Sequence, residues 1–219
     1  MKLIIFDVDG TLVDSQAHIL ASMEGAFAAL GLPAPTREAT LGIVGLSLPV
    51  AMRHLMPEAT DAEADALVDA YKSTFQDQRL NLAGASPLYP GTRNMLDRLR
   101  SQDEVLLGVA TGKSRRGLDH VIQHHDLSGF FITTQVADDH PSKPHPSMIE
   151  AALSETGVEP KDAVMIGDTE FDMDMGRAAG VKTIGVTWGY HPAERLQADR
   201  IISDWSLLGA ILSGLWEVA

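Results

Sequence analysis

Hydrophobic residues collect in short runs, each closed by turn chemistry or an acid, over residues 3–6, 105–110, 130–133, 163–166 and 183–187. Runs of that length, rich in β-branched residues, predict buried strands. Between them the apolar spacing becomes helical, over residues 92–100, 114–125, 146–156 and 172–179. Strand alternating with helix predicts an α/β fold with a doubly wound, mainly parallel sheet of Rossmann-like type, covered by helices on both faces. Such sheets bind ligands beyond the carboxyl ends of their strands, so the chemistry is expected just after each run.

One segment interrupts the alternation. From Ser15 to Ala85 the pattern is helical and holds no strand. Ile19, Leu20, Met23, Phe27 and Leu30 form a stripe that Gly31 stops, and Thr60-Asp61-Ala62-Glu63 is a capping box opening a helix toward Leu80. The stretch GASPLYPG, residues 84–91, returns the chain to the sheet through turns. The organisation expected is a core of residues 1–14 and 86–219 with an α-helical cap over 15–85, hinged near residues 13–15 and 83–87. The apolar C-terminal WSLLGAILSGLW is expected to be a packed closing helix.

Composition narrows the partners. The 219 residues carry 17 Lys and Arg against 30 Asp and Glu, a formal charge of −13. Nucleic-acid binding relies on clustered cations, which are absent here. With no cysteine, disulfides, thiol catalysis and thiolate metal sites are excluded, and a reducing cytosol fits. No secretory signal is visible, and the longest uncharged run, 39–52, is broken by glycines and Pro49, too interrupted to span a bilayer. A soluble, cytoplasmic monomer or homodimer acting on a small anionic molecule is expected.

Four strand ends carry reactive groups. Asp7 and Asp9 follow the first run and point the same way, because strand period is two. Thr111-Gly112 closes the second, Lys143 stands in SKPHP, and Asp168 and Asp172 follow the fourth. Gathered beyond the sheet, oxygen ligands of this kind suit Mg²⁺, which would let Asp7 and Asp168 lie close together. Thr111 and the amides of Gly112 and Lys113 at a helix start would hold phosphate oxygens, with Lys143 as a second positive charge. A carboxylate nucleophile would split phosphate-ester hydrolysis into two easier steps, while Asp9 moves the protons.

Simpler readings compete for several of these residues. A calcium loop counted from Asp7 needs glycine sixth and glutamate twelfth, where Leu12 and His18 stand. ATGKS imitates a nucleotide P-loop, but Leu107 occupies the required glycine position. His120 and His124 are spaced as metal ligands, yet no glutamate follows His120, so packing or surface histidines are expected. Arg115 and Arg116 read as a solvated helix face, and Asp174 as a complement to the dipole of its helix. Lys143 alone would be a surface lysine; its place in the ordered set raises it.

The set DVDGT, ATGKS, KP and GDTEFD, in that order, resembles the haloacid-dehalogenase-like phosphatases that carry a helical cap after the first strand. VDS, LYPG, MGRAAGV and TIGVTWGY extend the resemblance over essentially the whole chain. It implies Asp7 as nucleophile and Asp9 as general acid and base. It further implies Asp7, the main-chain carbonyl of Asp9, and Asp168 as Mg²⁺ ligands, with Thr111, Gly112 and Lys143 on the phosphate. Asp172 would orient Lys143 or a metal-bound water. Members that cleave carbon–halogen or carbon–phosphorus bonds lack an aspartate at the position of Asp9, so phosphate transfer is implied. Phosphoglycolate is the first substrate guess. The alternatives are a sugar-phosphate mutase of the same family, against which Thr11 leans, and a receiver-like phosphoacceptor domain, whose order of acids differs.

Overall fold

A computed structural model of the chain describes residues 1–81 and 86–217, with side chains omitted at 79–81 and 217. Its centre is a six-stranded, all-parallel sheet in the order β3-β2-β1-β4-β5-β6. The strands are β1 (Lys2–Phe6), β2 (Val105–Thr111), β3 (Thr133–Val136), β4 (Ala163–Gly167), β5 (Lys182–Val186) and β6 (Arg200–Ile202). In the middle of the sheet, β1 has both faces buried, so it reads as an unbroken apolar run rather than an alternating one. Ile4 and Phe6 pack on one face, under helices α5 (Thr92–Arg100), α6 (Arg115–His124) and α10 (Leu208–Glu217). Leu3 and Ile5 pack on the other, under α7 (Ser147–Thr156) and α8 (Glu170–Ala178). The Trp205 ring meets Phe6 edge-on at 6.1 Å, so the last segment of the chain closes the core over the first strand.

Two strands differ from expectation. The run 130–133 reaches the strand only at Thr133, and Ile132 within it is exposed. Phe130 packs in the core before the strand begins, with the guanidinium groups of Arg93 and Arg100 over its ring. β3 itself lies at the sheet edge and carries Thr134 and Gln135, the latter held by Thr133 and His140. The three residues of β6, at the opposite edge, bury only Ile202 and leave no periodic signal. α8 also starts two residues before the expected Asp172, because Thr169 caps it and Asp172 closes the capping box.

After Val13 the chain leaves the sheet and returns at Leu88, and the two crossings pair through Asp14 N–H to Pro87 O at 2.8 Å and Tyr89 N–H to Leu12 O at 3.0 Å. Between them lie α1 (Gln16–Ala29), α2 (Arg37–Leu41), α3 (Leu48–Leu55) and α4 (Asp61–Asn81). The expected stripe of α1 buries Ile19, Met23 and Phe27, leaves Leu20 half-buried and exposes Leu30. Met23, Ala26 and Phe27 meet Met52, Leu67, Val68 and Tyr71 in a separate small core. Of the expected second hinge, residues 83–85 lie outside the described residues.

α10 buries Leu208, Leu212 and Leu215 against the sheet. Among the described residues no helix is long and apolar enough to cross a membrane. Phe6→Ala removes a fully buried ring from the strand on which the sheet is built. We expect it to cost roughly 3–5 kcal/mol, read as a lower urea midpoint at unchanged slope.

Candidate active site

The reactive groups lie at the carboxyl ends of β1, β2 and β4, where the parallel register brings them into one layer. Asp7 directly follows β1, and its amide donates to Ile166 O of β4 at 2.9 Å, which extends the ladder to the threshold of Asp168. Asp7, Asp168 and Asp172 are each at most 1% exposed, and each offers an oxygen within 4.8 Å of the others. Lys143, equally buried, donates to Asp7 Oδ1 at 2.8 Å and to Asp172 Oδ1 at 2.6 Å.

Every carboxylate is held from behind. Asp172 Oδ2 accepts from the Thr169 amide at 3.1 Å and hydroxyl at 2.7 Å, so the cap of α8 also orients the partner of Lys143. Asp168 accepts from the Thr11 hydroxyl at 3.0 Å and from the Tyr190 amide at 2.8 Å. Gly10, with φ +87°, passes so near that a Cβ would overlap the Asp168 carboxylate; the turn after DVD therefore requires glycine. Of the oxygens of Asp7, Asp168 and Asp172, Asp7 Oδ2 is the one buried without a hydrogen-bond partner.

Charge explains that orphan. Burial, partly countered by Lys143 and reinforced by Asp172, pushes the Asp7 carboxyl up to about 6. Burial together with Asp172 and Asp7 pushes Asp168 well above the carboxylate range. Lys143 moves the opposite way from its burial, which alone would lower it, because Asp172 and Asp7 hold it protonated. Three acids around one ammonium leave negative charge uncompensated. A hard divalent cation seated against the free oxygen of Asp7 fits both the donor set and the deficit.

Asp9 faces elsewhere. Its carboxylate accepts from the Ser15 hydroxyl at 2.5 Å and pairs with Lys113 Nζ at 2.8 Å, while Ser15 also meets the Tyr190 hydroxyl at 3.0 Å. Asp7, Asp9, Thr111 and Gly112 line one cavity of about 280 Å³. Lys143, Asp168 and Asp172, all buried, are not among the residues lining it. Thr111 Oγ1 accepts from the Lys113 amide at 3.2 Å, and α6 begins only after its Ser114 cap. The Lys113 amide expected to face phosphate thus donates to the Thr111 hydroxyl in this structure.

The roof comes from α1–α4. Residues 42–47, between α2 and α3, are tied down by Ser47 N–H to Ser142 Oγ at 2.9 Å and by a 3.2 Å contact between His191 Nε2 and Gly42 O. Gly45 O crosses Gly112 so closely that no side chain fits at position 112.

A family model of haloacid dehalogenase-like hydrolases matches residues 4–186. The chain belongs to this family. Among curated relatives of this hydrolase, a probable phosphatase IndB from Dickeya dadantii is 35% identical over 90% of this chain and 85% of its own. A phosphoglycolate phosphatase from Pseudomonas putida is 30% identical over 100% and 81%. The crystal structure of a predicted phosphoglycolate phosphatase from Haemophilus somnus superposes with a TM-score of 0.84 at 25% identity, covering 96% of this chain and 97% of the other. The chain is a hydrolase of the phosphatase kind within this family.

Several residues of this hydrolase escaped the sequence reading. Lys113 was noticed for its amide, not for the ammonium beside Asp9; Ser15 and Tyr190 stood in quoted motifs without roles. Arg116, expected on a solvated face, lines the cavity, whereas Arg115 ties α6 to Thr134 and Asp139. Asp174 pairs with Arg177, and His124 packs against the rings of His120 and His125.

The raised Asp7 carboxyl carries a linkage sign. Its contribution to stability is complete below the ordinary carboxylate range and is lost as pH rises through about 6. In EDTA, Asp7→Asn should therefore gain stability relative to wild type between pH 5 and pH 8, measured by urea denaturation. A difference that does not change with pH would contradict the assignment.

Proposed function

We propose that the chain is a Mg²⁺-dependent phosphatase that hydrolyses a small phosphomonoester through an aspartyl phosphate on Asp7. The observation carrying this reading is the free Oδ2 of Asp7, aimed away from its Lys143 partner in a site that also holds a proton carrier, Asp9, and a hydroxyl, Thr111. Asp7, Asp168 and the Asp9 carbonyl would hold the ion. When bound, Mg²⁺ supplies positive charge that keeps the acids ionised and offsets charge on the phosphoryl oxygens.

In the first step the Asp7 carboxylate bonds to phosphorus as the ester P–O bond breaks, and Asp9 in its acid form gives its proton to the departing oxygen. Lys143 fixes the attacking carboxylate through Oδ1 and adds positive charge, and the Thr111 hydroxyl donates to a phosphoryl oxygen. In the second step water attacks phosphorus, Asp9 takes its proton, and the Asp7 carboxylate leaves with release of inorganic phosphate. Residues 15–85 act as a cap on the core formed by 1–14 and 86–219, excluding bulk water while the acyl phosphate exists. Asp172 positions Lys143. Phosphoglycolate, the substrate named for the Pseudomonas putida relative, is the natural reference compound.

Asp7→Asn should lower kcat for para-nitrophenyl phosphate at least about a thousandfold. In wild type quenched during turnover, mass spectrometry should find phosphate on the peptide containing Asp7. Activity retained in the variant, or phosphate on another residue, would overturn the assignment. EDTA should abolish turnover and added Mg²⁺ restore it.

A further inference from the structure

The cavity above Asp7 is larger and less polar than a two-carbon acid phosphate requires. A single water needs about 10–15 Å³ of such space, so about 280 Å³ accommodates on the order of twenty groups of that size. A two-carbon acid phosphate has fewer than half as many non-hydrogen atoms. The polar residues are confined to the ends. Asp7, Asp9, Thr111 and Lys113 stand at the floor, and Lys72, Gln76 and Arg116, all exposed, at the rim.

The wall between floor and rim is apolar. Ile19 and Met23 of α1, Val44, Leu48 of α3, and the rings of Tyr71 and Phe75 form it. Those two rings stack at 5.9 Å and 26°, one turn apart on α4. Of the described cations that line the cavity, Lys113 is paired with Asp9 and lies 5.6 Å from the Phe75 ring centre, while Lys72 and Arg116 are exposed. A carboxylate laid against the apolar side chains would lose hydration, whereas a hydrocarbon group would gain contact with them.

Resting on the phosphatase reading, we propose that the leaving group of the natural substrate is uncharged and apolar along the cavity wall, of roughly the size of a six-carbon chain or ring. The compound is a phosphomonoester of a hydrophobic alcohol rather than of a short hydroxy acid. The exposed Lys72 and Arg116 leave room for a polar group only at its far end.

A series of straight-chain alkyl phosphates from ethyl to hexyl tests this, because their leaving groups have nearly equal basicity. Each methylene buried against the wall should raise kcat/KM by about fourfold, with hexyl phosphate surpassing phosphoglycolate. Phe75→Ala, on a half-buried residue, should flatten that slope; a circular dichroism melt confirms that the variant is folded. A flat series in wild type, a higher kcat/KM for phosphoglycolate than for hexyl phosphate, or a slope untouched by Phe75→Ala would overturn the proposal. Should none of these esters nor para-nitrophenyl phosphate release phosphate, it is the phosphatase reading itself that fails.

Discussion

The structure is governed by three carboxylates and one ammonium enclosed where water does not reach. Asp7, Asp168 and Asp172 share the burial of Lys143, and one positive charge cannot balance three negative ones. Removing ions from water costs several kcal/mol each unless neighbours replace the lost hydration. The fold supplies those neighbours from distant parts of the chain. Thr11 and the Tyr190 amide hold Asp168, Thr169 holds Asp172, and Lys143 reaches Asp7 across 136 positions of sequence. What it does not supply is a partner for the last oxygen of Asp7. A cluster left unbalanced in this one respect fits a positive charge supplied from outside.

That requirement accounts for much of the architecture around it. Parallel strands end in the same layer, so β1, β2 and β4 deliver Asp7, Thr111 and Asp168 to one side of the sheet without long loops. The turn after Asp9 has to bring backbone against Asp168, which explains the positive φ of Gly10. The same turn sends the chain out toward the helices, and Ser15, at the exit, holds Asp9. The path into the helical segment and the orientation of the second aspartate are thus linked through Ser15, with Lys113 holding Asp9 from the other side of the carboxylate. Tyr190 joins both systems, its amide on Asp168 and its hydroxyl on Ser15.

Much of this was legible before any coordinates. The central strands announced themselves because burial on both faces makes them continuous apolar runs, and the acids that close those runs stand out against them. Edge strands were not legible. β3 carries polar residues that the edge tolerates, β6 is too short for periodicity, and Phe130 is apolar because of packing rather than strand pairing. Asp7, Asp9, Thr111 and Gly112 line one cavity at these strand ends, and Asp7 also joins Lys143, Asp168 and Asp172 in a buried cluster. Nothing in the spacing of residues separates those two groups. Nor could it reveal that Lys113 turns its ammonium to Asp9, since that contact joins the loops after β1 and β2, which become neighbours only in the folded sheet.

The apolar wall and the buried charges belong to one electrostatic design. A charge interaction weakens in proportion to the effective dielectric, from about 80 in water to about 20 near a protein surface. Ile19, Met23, Val44 and Leu48 displace water from the space directly over Asp7 and Thr111. Loop 42–47, pinned to Ser142 and His191, closes the side where the sheet would otherwise be open. The apolar lining lowers the effective dielectric around Asp7 and Asp9, so their pairing with Lys143 and Lys113 is stronger than it would be in water. Hydrophobic side chains in this position strengthen the polar ones beneath them. The same low dielectric raises the cost of leaving the acids unbalanced, since one ammonium among three carboxylates leaves the cluster negative.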